Sequence, residues 1–428
     1  MKLYSLNNKN NTSTFTAAIM KGLAPDGGLY YPVKIPRFSP SELTLLRGKN
    51  LHEVAVIILE KWISSEFSYE QIYEMVKNAL DFEIPINKVG DNYVLELFHG
   101  PTMAFKDVAA KILAQCMQQV LKKQNKKIIV LVATSGDTGG AVAQAFSGIE
   151  NIRVVVLYPK NKVSKLQEMQ LTRVSKNIFP IEVDGVFDDC QDLVKKAFVD
   201  NDLNSLNLTS ANSINIGRLI PQIIYYAYVY ALLQKDNIEF VVPIGNAGNI
   251  TAGLFASKMG LPFKSFVITS NENDATVEYY KTGTYAPKKT IVTLSNAMDV
   301  GAPNNFVRVL EFFNNNYKEF LKKVKAVKVD SKETIETIKK VNKEFSYVLD
   351  PHTAVAWAGA EKIGDKNKTK VLVSTASPIK FATEIRNKTG IKIDDSKEMK
   401  ALEQLSKRKQ SMENNYENFK KLLILNLS

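Results

Sequence analysis

Cysteine and histidine are scarce in this 428-residue chain, which has two of the former and three of the latter. Cys116 and Cys190 lie far apart with no CxxC pair, and His52, His99 and His352 are scattered. A zinc site needs three or four ligands at close spacing, so no metal site is expected. Two lone cysteines also exclude a disulfide scaffold. Both are expected to be free and buried, in a reducing compartment, hence the cytoplasm. No apolar run reads as long enough to span a bilayer, so no membrane is expected as a partner. The opening MKLYSLNNKNNTSTF has no basic region followed by an apolar stretch, so no signal peptide is expected.

Hydrophobic residues make up 45% and charged residues 23%, a soluble-globular balance that excludes a disordered chain. At roughly 150 residues per domain, two to three domains are expected. The net charge is +12. Its lysines are spread over Lys122 to Lys127, Lys318 to Lys328 and the segment after Lys397, among Asn, Gln and Glu. Without stacked aromatics or arginine clusters this reads as a solvated surface, and no nucleic-acid partner is expected.

Residues 1–85 read as an accessory N-terminal domain, with a turn and extended run at PDGGLYYP and amphipathic helices over 51–80. Then the pattern changes. Ile128 to Ala133 is a continuous apolar run, as in a strand buried on both faces. Further strands are expected at Val154 to Leu157, Phe240 to Val242, Phe266 to Thr269 and Val371 to Ser374, alternating with helices. This order predicts an α/β fold with parallel sheets. In such sheets ligands sit at the carboxyl ends of strands.

Three polar loops leave those ends. Gly245-Asn246-Ala247-Gly248-Asn249 lies between a strand and a helix start, where backbone N–H groups and the helix N-terminus can bind phosphate. It lacks the GK[ST] of a Walker A loop, which favours a single phosphate monoester over a nucleotide; a plain tight turn is the alternative. Thr134-Ser135-Gly136-Asp137-Thr138-Gly139-Gly140 offers hydroxyls, a carboxylate and free N–H groups, or else an ordinary helix capped by Ser135, Asp137 or Thr138. The third is the hydroxyl-rich end Thr375-Ala376-Ser377-Pro378. In HGPTMAFKD, Pro101 and Thr102 mark a helix start, and Lys106 shares an apolar flank with Ala110, Leu113 and Met117. A helix N-terminus and partial burial both lower a lysine pKa, and Schiff-base chemistry needs the neutral amine. Spacing alone favours a snorkelling lysine. Asn212, Ser213, Asn215 and Arg218 cluster in SANSINIGR, an anion clamp or a capped turn with a surface arginine.

Together these segments resemble the threonine synthases, pyridoxal-phosphate enzymes of the tryptophan synthase β fold (fold type II). The resemblance covers PDGGLYYP, ELFHGPTMAFKD, ATSGDTGGAVAQAF, YPKNKVSKLQ, SANSINIGR, GNAGNITAG, TLSNAMDVGAPNN, LDPHTAVAWAG and STASP, nearly the whole chain. It implies pyridoxal 5'-phosphate as cofactor, with Lys106 as the Schiff-base and catalytic lysine. It implies that Gly245, Asn246, Ala247, Gly248 and Asn249 hold the cofactor phosphate, that Thr375 faces the pyridine nitrogen, and that Asp137 lies near the 3-hydroxyl. Ser135, Gly136 and Thr138 would receive the substrate carboxylate, and Asn212, Ser213, Asn215 and Arg218 the substrate phosphate. The chain departs from longer-form relatives at Ile244, Ala247 and Asn249 of the phosphate loop, and at Ser377, where the long form often has histidine.

The resemblance further implies two cofactor-binding α/β regions, 86–212 carrying the lysine and 213–395 carrying the phosphate loop. A peripheral tail, 396–428, would follow. The implied reaction converts O-phospho-L-homoserine and water to L-threonine and phosphate, in a monomer or homodimer. The alternatives are another fold-type-II lyase such as a threonine dehydratase, which needs no second phosphate site, or a cofactor-binding relative without turnover.

Overall fold

A computed structural model describes residues 1–124, 126–394 and 397–427. The N-terminal part opens with a small antiparallel sheet of β1 (Lys2–Ser5), β2 (Thr12–Thr14) and β3 (Tyr30–Pro32). Two amphipathic helices follow, Leu51–Ile63 and Tyr69–Ala79, each started by a reciprocal capping box, Asn50 with Glu53 and Ser68 with Gln71. This part shares one continuous core with the α/β body, where Trp62 stacks on Phe255 at 5.9 Å.

The body is built on two sheets. The larger contains β4 (Ile86–Val89), β5 (Asn92–Glu96), β10 (Ile238–Pro243), β11 (Phe263–Ser270), β12 (Val324–Lys328) and β13 (Thr369–Ser374), in the order β12-β11-β10-β13-β5-β4. All are parallel except β4, which forms an antiparallel hairpin with β5. The smaller contains β6 (Ile128–Ala133), β7 (Ile152–Pro159), β8 (Ile178–Asp184), β9 (Leu208–Ser210) and β14 (Gln410–Glu413), all parallel, in the order β14-β8-β7-β6-β9. Every residue of β6 and β10 is buried, because helices cover both faces of each sheet.

The sheets do not divide where the sequence suggests. Strands β4 and β5, expected with the 86–212 region, join the larger sheet, because β5 zips onto β13 from Tyr93↔Val371 to Glu96↔Ser374. The tail is more integral than expected. β14 extends the smaller sheet, and the helix Tyr416–Leu427 buries Phe419 and Leu423 against the helix Phe187–Val199. The expected boundary at 395/396 itself touches positions outside the described residues.

Two further expectations change. The helix after HGPT begins at Lys106, not at Pro101 and Thr102, since residues 100–105 form a turn with Met103 at φ 53°. The stretch Ile216–Leu233 does reach membrane-spanning length and apolarity, with mean hydropathy 1.2, but 83% of it is buried inside the fold. It is a core helix.

Candidate active site

The carboxyl ends of β6, β10 and β13 converge with the first turn of the helix Lys106–Gln124. The strand end after β13 is stitched to the turn before Lys106: Phe105 N–H donates to Thr375 O (2.9 Å), Ser377 N–H to Met103 O (3.1 Å), and Ala104 bridges Ala376. Lys106 is thereby fixed beside Thr375, whose residue is 8% exposed.

The helix after β6, Asp137–Ala145, starts at Gly136 with φ 143° and no side-chain cap. Only glycine suits that backbone, and a Cβ there would also lie 2.4 Å from Gln167 Cδ. The side chain that organises the loop is that of Thr134, not of Ser135, Asp137 or Thr138: its Oγ1 accepts from Gly136 N–H and Gly139 N–H, both at 2.9 Å. Ser135 is exposed and Thr138 half-buried, on the open side of the loop.

Asp137 is held by charge. Its Oδ1 lies 2.7 Å from Lys380 Nζ and accepts from Gln167 Nε2 (3.1 Å), while its Oδ2 lies 3.7 Å from Lys106 Nζ. Burial alone would raise the Asp137 pKa, but the Lys380 and Lys106 ammoniums outweigh it and hold the carboxyl well below the usual range. Burial pushes the Lys106 amine down; Asp137 opposes this, and Lys380 and Arg218 add to it. Neighbouring Asp107 is pushed up to about 6 by burial, although Thr102 N–H (2.8 Å) and Thr102 Oγ1–H (2.5 Å) donate to its carboxylate.

The loop after β10 is built from neutral groups. Ala247 sits in the left-handed region at φ 60°, and the helix Gly248–Lys258 starts with no side-chain cap. Asn246 O accepts from Asn305 N–H (3.1 Å), and Asn246 Oδ1 from Asn304 N–H (3.3 Å). A Cβ on Gly245 would lie 2.6 Å from Ala297 O. Ala297 is fixed in turn: its N–H donates to His352 Nε2 (3.1 Å), and His352 Nδ1 is 2.7 Å from Asp350 Oδ1. Asn249 Oδ1 accepts from Tyr225 and Tyr226 hydroxyls (2.8 and 2.7 Å), while its buried Nδ2 has no partner among the described residues.

The SANSINIGR residues divide. The Asn215 amide is taken up by backbone, not held open as expected for an anion clamp: its Nδ2 donates to Ile19 O (2.9 Å) and Ser210 O (2.8 Å), and its Oδ1 accepts from Gly217 N–H (2.9 Å). It builds the turn that carries Arg218. Arg218 is 4% exposed, not a surface arginine; Nη1 donates to Ala211 O (2.7 Å), and buried Nε has no partner among the described residues. Burial pushes its pKa down to about 10. Asn212 and Ser213 are half-buried, and Asn212 Oδ1 has no partner. Arg308 anchors this segment to both others. Fully buried, it donates to Tyr30 O (3.0 Å), Ile214 O (2.9 Å) and Asn305 Oδ1.

These residues fit a phosphate-bearing aldehyde. The uncapped start of the helix Gly248–Lys258, with Asn249 Nδ2 and the close-packed Gly245, offers donors with no acidic residue in its first turn. The amine of Lys106 lies beside Asp137 and follows the backbone bond from Phe105 to Thr375.

Residues 88–375 match the family "Pyridoxal-phosphate dependent enzyme", residues 2–80 "Threonine synthase N terminus" and residues 353–423 "Threonine synthase, C-terminal". The chain belongs to the threonine synthase family. It is 44% identical to the threonine synthase of Buchnera aphidicola from Acyrthosiphon pisum over 89% of this chain and 90% of that one. The crystal structure of threonine synthase from Escherichia coli superposes with a TM-score of 0.92 at 37% identity, covering 100% of both chains. A PLP-bound threonine synthase from Brucella melitensis gives 0.94 at 31% identity, covering 99% of this chain and 98% of that one. A threonine deaminase from Solanum lycopersicum, at 16% identity and a TM-score of 0.59, over 83% of this chain and 91% of that one, shares the fold alone. The fold class, the lyase class and pyridoxal phosphate as cofactor, all expected from the sequence, go with the threonine synthase family.

Lys380, Gln167 and Thr134 are the site residues that sequence reasoning missed. Lys380 stands in SPIKFATE, where its spacing reads as an ordinary surface lysine, and Gln167 is far from any motif glycine. Thr134 carried a signal: a hydroxyl at a strand end, two and five residues before loop glycines.

Proposed function

We propose that the chain converts O-phospho-L-homoserine and water to L-threonine and phosphate. The observation that carries this reading is a second cationic site. The loop Gly245 to Asn249 offers a neutral backbone cradle for one phosphate, while buried Arg218 keeps an unpartnered Nε near Lys106. A dehydratase substrate has no phosphate and would leave that buried guanidinium with only the Thr102-bonded Asp107 as a nearby carboxyl.

In this reading Gly245, Asn246, Ala247, Gly248 and Asn249 hold the cofactor phosphate, and Lys106 carries the cofactor. Ser135, Gly136 and Thr138 receive the substrate carboxylate. Bound pyridoxal phosphate supplies the electron sink for carbanion chemistry at Cα. The Lys106 amine would move the proton off Cα and serve again as proton carrier at Cβ. Arg218, with Asn212 and Ser213, binds the phosphate that leaves from Cγ and stabilises its growing charge. Asn215 keeps Arg218 in place and touches neither ligand. Asp137, committed to Lys380, is not free to serve the 3-hydroxyl as a simple proton partner. Thr375 offers the pyridine nitrogen a hydroxyl, a weak and uncharged partner.

The reading includes no nucleic-acid partner. Surface lysines such as Lys322, Lys340, Lys409 and Lys420 are paired with carboxylates. Both cysteines are free and buried, which suits the cytoplasm. The deciding experiment incubates purified protein with phosphohomoserine and assays phosphate and threonine in the same tube. Equal amounts of both are expected; phosphate without threonine would overturn the reading.

A further inference from the structure

Lys380 is a buried ammonium with every proton used. Its side chain has no exposed surface. Lysine is almost never so buried unless paired. Its three donors reach Asp137 Oδ1 (2.7 Å), Thr102 O (2.8 Å) and Gln170 Oε1 (3.3 Å). Lys380 itself sits in the short turn Pro378–Phe381 that follows β13 of the larger sheet. Asp137 and Gln170 stand on helices of the smaller sheet, and Thr102 lies in the turn before Lys106. One ammonium therefore ties both sheets together at the point where Lys106 emerges.

The orientation of Asp137 follows. Oδ1 is taken by Lys380 and Gln167, which leaves Oδ2 alone toward Lys106 at 3.7 Å, beyond hydrogen-bond reach. The other charge that acts on the Lys106 amine is Arg218, from the turn Ile216–Arg218; Asp107, whose carboxylate is occupied by Thr102, faces Lys380, Lys111 and Arg218 instead. A buried carboxylate needs a countercharge. Without Lys380, the cation left beside Asp137 would be Lys106. The carboxylate would then draw Lys106 in as an ammonium ion, the form that cannot bond to an aldehyde.

We infer that Lys380 is a positioning residue for Lys106: it holds the Asp137 carboxylate as its own partner and so leaves the Lys106 amine free to carry the cofactor. This rests on the reading of Lys106 as the cofactor-bearing lysine. The electrostatics agree, since burial, Lys380 and Arg218 all push the Lys106 amine toward its neutral form and Asp137 opposes them.

The test uses the full chain stripped of cofactor. Pyridoxal phosphate is added across a pH series, attachment is fixed with borohydride, and the modified peptide is mapped by mass spectrometry. In Lys380→Met the pH of half-attachment should rise by about one unit or more, and in Asp137→Asn/Lys380→Met most of that rise should vanish. A folded Lys380→Met protein with an unshifted midpoint would overturn the inference, as would a double variant that keeps the full shift. If Lys380→Met does not fold, folding of the double variant supports the pairing, because removing both buried charges costs far less than orphaning one. If neither folds, Lys380 acts as a clamp independent of Asp137 and the inference fails. A label mapped to any lysine but Lys106 would instead sink the reading of Lys106, whatever the midpoints.

Discussion

The loop Thr134 to Gly140 and the loop Gly245 to Asn249 occupy the same place in their two sheets, each at the carboxyl end of a fully buried strand and at the uncapped start of a helix. Their surroundings differ. Around the first, Asp137 stands between two lysines; around the second, the partners are asparagine amides, tyrosine hydroxyls and backbone. A permanent phosphate dianion is best held by N–H groups with no carboxylate nearby. A group that must gain and lose a proton needs a tunable charge beside it. On the proposed reading the neutral loop would hold the cofactor phosphate and the charged loop would serve the chemistry, with Lys380 reaching the charged loop, and Thr375 the turn before Lys106, from the larger sheet.

The largest effect should come from the charged side. Lys106→Ala should remove borohydride-fixable cofactor and cut turnover by about 10²–10⁴-fold or more, the usual share of a proton-transferring group. Turnover near wild type, measured by phosphate release, would break the comparison at its root. Arg218→Lys comes next. A Lys cannot offer two parallel N–H bonds to phosphate, and a hydrogen bond to a charged group contributes roughly 1.5–3 kcal/mol, about 10- to 150-fold. The drop should appear in kcat/KM for phosphohomoserine, with the cofactor spectrum and affinity unchanged. A fall in cofactor affinity would mean that the two phosphate sites are exchanged.

Much of this contrast was legible in the sequence. The two glycine loops stand out as polar breaks after buried strands, whereas Lys106 and Arg218 are singled out by the resemblance, because spacing alone favours a snorkelling lysine at one and leaves a surface arginine open at the other. Strand β6 was legible to the residue because a strand buried on both faces is a continuous apolar run. Lys380 was not, since its meaning comes from Asp137 and Thr102, more than 240 positions away, and no local pattern encodes that meeting. The same holds for β5 and β14. Each joins a sheet through pairing with a strand distant in sequence, β13 and β8, so their place cannot be read from their own residues. Asn215 misled for the opposite reason: an asparagine that builds a turn looks the same, in sequence, as one that binds an anion.

Acid should act on the charged loop and spare the neutral one. The folded-state pKa of Asp137 lies below its unfolded value, so its pairing stabilises the fold above about pH 4, the unfolded value, and that contribution is lost as pH falls below it. Asp107 runs the other way: with its pKa raised to about 6, its contribution is present below about pH 4 and is lost as pH rises to 6. Removing both buried charges in Asp137→Asn/Lys380→Met should therefore flatten the fall in melting temperature of the cofactor-free protein below pH 4. An identical fall in both proteins would show that the pair is not ionised as described.

The smallest effect should be at Ala247, and its smallness is informative. An alanine at φ 60° carries about 1–2 kcal/mol of backbone strain that glycine would relieve. Against this, glycine gives the unfolded chain more freedom, roughly 0.4–1 kcal/mol, and removes a buried methyl group worth about 0.8 kcal/mol. Ala247 is 2% exposed, so the methyl loss applies nearly in full. The terms cancel to within about 1 kcal/mol, and Ala247→Gly should leave the melting temperature nearly where it was. If the loop holds phosphate through backbone N–H groups, cofactor affinity should also stay within a few-fold, because no N–H is lost. Gly245→Ala is the matched contrast. There a Cβ would press on Ala297 O at 2.6 Å, so the backbone itself must move, an overpacking cost of roughly 1–3 kcal/mol that should appear as weaker cofactor binding. Equal affinity losses in the two variants, measured by cofactor titration, would mean that side chains rather than backbone make the grip, and the neutral loop would lose what distinguishes it from the charged one.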